Sequence, residues 1–96
     1  MPLNRGLVSK IKLGPAKLTK YELARIIGAR ALQIALGAPV LIQVPPGVTD
    51  PITIATLEVK SGVVPFIIRR RVGKRYQDIP VKVLLEAEKE YLLSDP

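Results

Sequence analysis

A helical segment that is apolar on two sides sets the terms for this chain. It opens at residues 18–23, LTKYEL, where Thr19 and Glu22 have the spacing of a capping box and Leu18 is placed to staple onto Leu23. Gly37 supplies the stop, so the spacing predicts a helix from about residue 19 to residue 36. At about 100° per residue, Leu23, Ile26, Ile27 and Ile34 share one face, the usual core-facing stripe. Leu32 and Leu36 lie on the other side with Gly28 and Ala29, whose small side chains admit close approach of another element. A helix apolar on two sides needs two packing partners, and a chain of 96 residues supplies one comfortably. The second is expected to be another protein.

Arg30 falls within the Leu23/Ile26/Ile34 face. An unpaired charge there is costly, so it must snorkel outward, meet a carboxylate or a row of carbonyls, or pair with a partner chain.

The remaining segments are shorter. Residues 39–44, PVLIQV, read as a buried strand closed by Pro45, Pro46 and Gly47. Asp50 and Pro51 open a second helix, with Ile52, Ala55 and Val59 on its apolar stripe and Gly62 as its stop. Residues 63–68 lead into Arg69, Arg70 and Arg71, and residues 76–79 return across a turn at Gly73 and Lys74, giving an antiparallel hairpin with a basic end. Side-chain alternation puts Arg69 and Arg71 on one face and Arg70 on the other. Residues 81–92 predict a last helix, with Val81, Leu84, Leu85 and Leu92 apolar and Glu86, Glu88 and Glu90 polar. Residues 1–17 carry Arg5, Lys10, Lys12 and Lys17 with no acid and no sustained period, and read as a flexible basic arm.

The residue inventory excludes much chemistry. There is no Cys and no His, which removes disulfides, thiolate nucleophiles, Cys/His zinc sites and His general bases together. No phosphate-cradling glycine motif of the P-loop or dinucleotide-binding kind occurs. Glu58 and Asp78 have no partner at a suggestive spacing and read as solvated carboxylates, so no paired-carboxylate site is expected. Catalytic residues, metal and cofactor are therefore all expected to be none. Fifteen Lys and Arg against eight Asp and Glu favour an acidic partner, nucleic acid or protein. Arg69, Arg70, Arg71, Lys74 and Arg75 form the densest cluster, but only Phe66 and Tyr76 flank it, which disfavours single-strand recognition by stacked aromatics. The alternatives are a phosphate-contacting patch and a basic edge meeting acids on a partner protein. No secretory-type apolar core or membrane-spanning run is present, so a cytoplasmic protein with no membrane association is expected.

Read in series, residues 18–34 (LTKYELARIIGARALQI), 38–42 (APVLI), 50–52 (DPI) and 65–70 (PFIIRR) resemble subunit K of archaeal DNA-directed RNA polymerases, the family that includes the bacterial omega subunit and the small subunit shared by the eukaryotic nuclear polymerases. The resemblance covers residues 18–80 and rests on four motifs in order. It implies a non-catalytic subunit that latches onto the C-terminal region of the largest polymerase subunit and promotes assembly and stability. It implies contact roles for Arg25, Arg30, Leu32, Gln33, Pro39, Arg69 and Arg70, the positions matching the family motifs. Direct DNA contact is expected to be absent or peripheral, with no small-molecule substrate. The hairpin turn at residues 72–75 and the basic character of residues 1–17 depart from the family pattern.

The expected architecture is α+β: a small single domain of two or three helices and a short antiparallel β hairpin. Residues 1–17 form the flexible basic arm, 18–80 the polymerase-subunit core and 81–96 a helical extension. The alternative function is a small basic nucleic-acid-binding, ribosome-associated protein, separable by salt because phosphate binding weakens steeply with ionic strength.

Overall fold

The computed structural model describes residues 6–94, with the side chains of all but residues 7, 8 and 91–94. In chain order it contains α1 (Gly6–Lys10), α2 (Lys20–Ala35), α3 (Pro51–Lys60), β1 (Ile67–Val72), β2 (Arg75–Pro80) and α4 (Val81–Ser94). The architecture is α+β with a two-stranded antiparallel sheet, as the sequence predicts. The described residues divide into two compact units, one made of residues 20–64 and the other of residues 6–19 with 65–94.

The 20–64 unit is a helix pair. α2 starts directly after Thr19, and its C-terminus closes as a Schellman motif: the Ala38 N–H donates to the Gln33 carbonyl at 2.9 Å and the Gly37 N–H to Ile34 at 3.0 Å. Gly37 has φ +102, which a residue with a Cβ adopts only under strain. α3 starts where Asp50 accepts a hydrogen bond from the Thr53 N–H at 3.0 Å, with Pro51 at the first helical position. Its buried residues are Ile54, Ala55, Glu58 and Val59. Ala55 and Val59 of the expected apolar stripe are buried, but Ile52 is exposed, and Ile54 and the Glu58 carboxylate complete the buried face instead.

Residues 39–44 are not a strand. Val40 and Leu41 are exposed. The backbone there bonds to side chains rather than to a neighbouring strand: the Pro39 carbonyl accepts from Arg30 and the Leu41 N–H donates to Glu58, both at 2.7 Å. β-branched composition marked an extended segment, but strand character needs a ladder partner and none is paired with it.

In the other unit β1 and β2 pair in the register Ile67↔Pro80, Ile68↔Ile79, Arg69↔Asp78, Arg70↔Gln77, Arg71↔Tyr76 and Val72↔Arg75. The two-residue loop places Gly73 at φ +61 while Lys74 keeps a negative φ, the pattern of a type II′ turn, whose twist matches the strands it joins. α4 follows β2 without a break, the Val81 N–H bonding the Phe66 carbonyl at 2.9 Å. Leu13, Leu18, Ile79, Val81, Leu84 and Ala87 are the buried apolar residues of this unit.

Residues 6–17, expected to be an arm without regular structure, differ from that expectation. They carry α1 and then an irregular segment with Leu13 buried. Arg5 and the rest of residues 1–5 lie outside the described residues.

Candidate interaction site

The inner face of α2 is held by a charge. Arg30, 6% exposed, forms a buried ion pair with Glu58 of α3, which is 0% exposed. Its Nε donates to Glu58 Oε1 and its Nη2 to Glu58 Oε2 at 3.3 Å. Nη2 also donates to the Pro39 carbonyl, and Nη1 donates to Gln33 Oε1 at 3.0 Å. The carboxylate accepts a further bond from the Leu41 N–H. Burial works to raise the Glu58 pKa, but the hydrogen bond from Arg30, that from the Leu41 N–H and the Arg30 charge outweigh it and hold the carboxyl below its ordinary value. One residue pair thus joins α2, α3 and the segment after α2.

Of the outcomes the sequence left open for Arg30, it meets a carboxylate, and one of its own chain. One expectation is corrected: Glu58, read as solvated, is that buried partner. The pairing was invisible because the residues lie 28 positions apart.

The outer face of α2 is different. Tyr21, Arg25, Gly28, Ala29, Leu32 and the C-cap Leu36 fall within an arc of about 100°, and all are exposed, Leu32 by 61% and Leu36 by 79%. A Cβ added at Gly28 meets nothing within 4 Å, so this chain's own packing does not require glycine there. Mid-helix glycine nonetheless costs about 1 kcal/mol relative to alanine.

The hairpin divides its arginines between two faces as the alternation predicts. On one, Arg69 forms a two-pronged pair with Asp78 at 2.7 and 3.0 Å and lies over the Tyr76 ring at 4.6 Å. The hydrogen bond from Arg69 is the main cause holding the Asp78 pKa below its ordinary value, and the same bond raises that of Arg69. Asp78, read as a lone carboxylate, is therefore partnered directly across the strands.

On the opposite face Arg70, 8% exposed, donates from Nη1 to the carbonyls of Leu13 and Pro15 and from Nη2 to that of Lys17 at 2.7 Å. Gln77, directly opposite Arg70, accepts from the N–H groups of Lys12 at 2.8 Å and Leu13 at 3.2 Å, and donates to the Lys10 carbonyl at 2.7 Å. Gly14 sits inside this clasp at φ +78, where an added Cβ would lie 2.9 Å from Arg70 Nη1.

Of the residues singled out by sequence, Arg30, Gln33 and Pro39 thus converge in one internal network. Arg25 and Leu32 share the exposed stripe of α2, while Arg69 and Arg70 stand on opposite faces of the hairpin. Sequence reasoning missed Glu58, Gln77 and Gly14; only the 14–15 Gly-Pro pair hinted at a required turn. Among the described residues no group of acids could hold a metal ion, and no helix is long and apolar enough to cross a membrane.

A small α+β chain with an exposed apolar helix face is the kind of protein built to pack on others. Comparison with known families is more specific: RNA polymerase Rpb6 matches residues 12–66, more than half of the sequence. The chain belongs to the RNA polymerase Rpb6 family. It is 55% identical over 75 residues to DNA-directed RNA polymerase subunit Rpo6 of Thermofilum pendens, covering 77% of this chain and 93% of that protein. Rpo6 of Pyrobaculum aerophilum is 47% identical over 85 residues, 85% of this chain and 79% of the relative. A probable subunit RPABC2 of RNA polymerases I, II and III from Caenorhabditis briggsae is 50% identical over 72 residues, 74% of this chain and 51% of its own length. The family match starts before the 18–80 span of the sequence resemblance and ends at Phe66, so Arg69 and Arg70 lie beyond it.

Proposed function

We propose that this chain is a non-catalytic, cytoplasmic subunit of a DNA-directed RNA polymerase that latches onto the C-terminal region of the largest subunit and promotes assembly of the enzyme. The observation that carries this reading is the outer face of α2: an exposed Leu32/Leu36 stripe containing a mid-helix glycine that nothing in the chain itself requires. A partner helix or segment packed closely over Gly28 supplies both the missing cover and the reason for the glycine. Arg25 and Leu32 then contact the partner directly. Arg30, Gln33 and Pro39 act through the internal network, which fixes α2 and the segment following it in the shape the partner meets. Arg69 and Tyr76 present a second surface on the hairpin. The names of the relatives, polymerase subunits from archaea and a nematode, support the same reading.

The test is affinity purification of the tagged chain from its native cells with a high-salt wash and identification of retained proteins by mass. Recovery of the large polymerase subunits at near-equal stoichiometry is expected, and Leu32→Glu should abolish it. Retention of nucleic acid alone, lost at high salt, would overturn the subunit reading in favour of a basic nucleic-acid-binding protein.

A further inference from the structure

The two basic stretches of the sequence, more than fifty residues apart, belong to one body. Residues 6–19 and 65–94 together hold ten Lys and Arg against four Asp and Glu, a net of six positive charges, whereas residues 20–64 hold four against three. Nearly all the charge excess of the chain therefore sits in one unit, and the Arg70–Gln77 clasp is what joins its two basic segments.

The clasp also decides which cations share a surface. Arg70 and Gln77 face residues 10–17, so Val72 and Arg75, each two residues along its strand, face the same way. Arg75 stands about 7 Å from Gln77 along β2, and Gln77 holds the backbone at Lys10 and Lys12. Lys10, Lys12 and Lys17 are exposed on the segment whose backbone packs against this face, Arg75 is exposed on the face itself, and Lys74 is exposed at the turn beside it. None of the five forms an ion pair among the described residues, whereas the opposite face neutralises Arg69 with Asp78.

We infer that this face is a binding surface for the phosphate backbone of nucleic acid. Its make-up distinguishes such a ligand from an acidic protein. Protein interfaces have an apolar centre, yet residues 10–17 expose no large hydrophobic residue, Ile67 and Tyr76 belong to the opposite face of the hairpin, and on this face of the hairpin Val72, beside the turn, is the single exposed large hydrophobic residue among the described ones. Cations spread along a strap and a strand suit a ligand with regularly repeated charge. Neither basic segment alone would suffice, and only the clasp makes them continuous.

The experiment is fluorescence anisotropy of the full chain with labelled 20-nucleotide RNA and DNA of mixed sequence across a salt series, alongside ultraviolet crosslinking in cells with mapping of nucleotide-bearing peptides. Five phosphate contacts predict a slope of log K against log salt of about −3.5 on single strands, roughly a 100-fold loss between 50 and 200 mM salt. Lys10→Gln/Lys12→Gln/Lys17→Gln and Lys74→Gln/Arg75→Gln should each weaken binding and flatten the slope. Arg71→Gln, the removal of one charge from the other face, should change affinity less than twofold. Gln77→Leu should weaken binding although it removes no charge. In cells, crosslinks should fall on residues 10–17 and 74–77, a readout that holds whether or not the purified chain folds alone. Equal loss from Arg71→Gln, crosslinks confined elsewhere, or equally tight binding of polyglutamate would overturn the proposal.

Discussion

Arg30 and Glu58 form an ion pair buried between α2 and α3, and through the Pro39 carbonyl and the Leu41 N–H it ties the helix pair to the segment that connects them. A buried pair of this kind contributes little over a well-packed apolar pair, but losing one member is severe because the other charge is stranded.

Glu58→Ala should therefore destabilise the chain by about 3–5 kcal/mol, measured by urea unfolding of the purified protein. The double variant Arg30→Met/Glu58→Leu should recover most of that loss. A loss under about 1 kcal/mol in the single variant would mean that the pair is solvated in solution.

The same carboxylate sets a pH dependence. Because its folded pKa lies below the ordinary value, its stabilising contribution is fully present above the unfolded carboxylate range, near pH 4.3, and is lost as pH falls through the lower folded value. Thermal melts between pH 7 and pH 2 should show this acid limb in the native protein. In Glu58→Gln the limb should be shallower, since Asp78, which is also paired with an arginine, is exposed.

Gly28 separates the folding of the chain from its assembly. Gly28→Ala should stabilise the isolated protein by about 0.5–1 kcal/mol, since the site has open space and ordinary helical backbone. Gly28→Leu should leave the isolated chain within about 0.5 kcal/mol of Gly28→Ala, because it too points into solvent, yet should prevent recovery of the polymerase subunits. Normal recovery with Gly28→Leu would place the interface elsewhere.

Gly14 tests the clasp. Gly14→Val would put a Cβ against Arg70 Nη1 at a backbone angle that a β-branched residue tolerates poorly. A destabilisation of about 1–3 kcal/mol is expected, with faster hydrogen exchange at the Lys12 and Leu13 amides that Gln77 holds. Unchanged exchange would show that the clasp does not form in solution.

Local physics made the helices and the turn readable. Asp50 with Pro51, and Gly37, act on backbone groups within a few residues of themselves, so α3 starts and α2 stops where this end chemistry dictates. The hairpin register follows from a two-residue loop, and with it the division of Arg69 and Arg71 from Arg70. The exposed stripe of α2 was legible for the same reason, as helical periodicity is a property of the segment alone.

What the sequence by itself determined, then, is which segments are helix or hairpin and which face of each is apolar. Tertiary structure decided what meets those faces: Glu58 beneath Arg30, backbone carbonyls around Arg70, side chains in place of a strand ladder along residues 39–44. These pairings join groups 9 to 57 positions apart. A buried donor must find an acceptor, but its sequence neighbours do not say which, because that choice is made by whatever the packing of the chain brings within hydrogen-bonding reach.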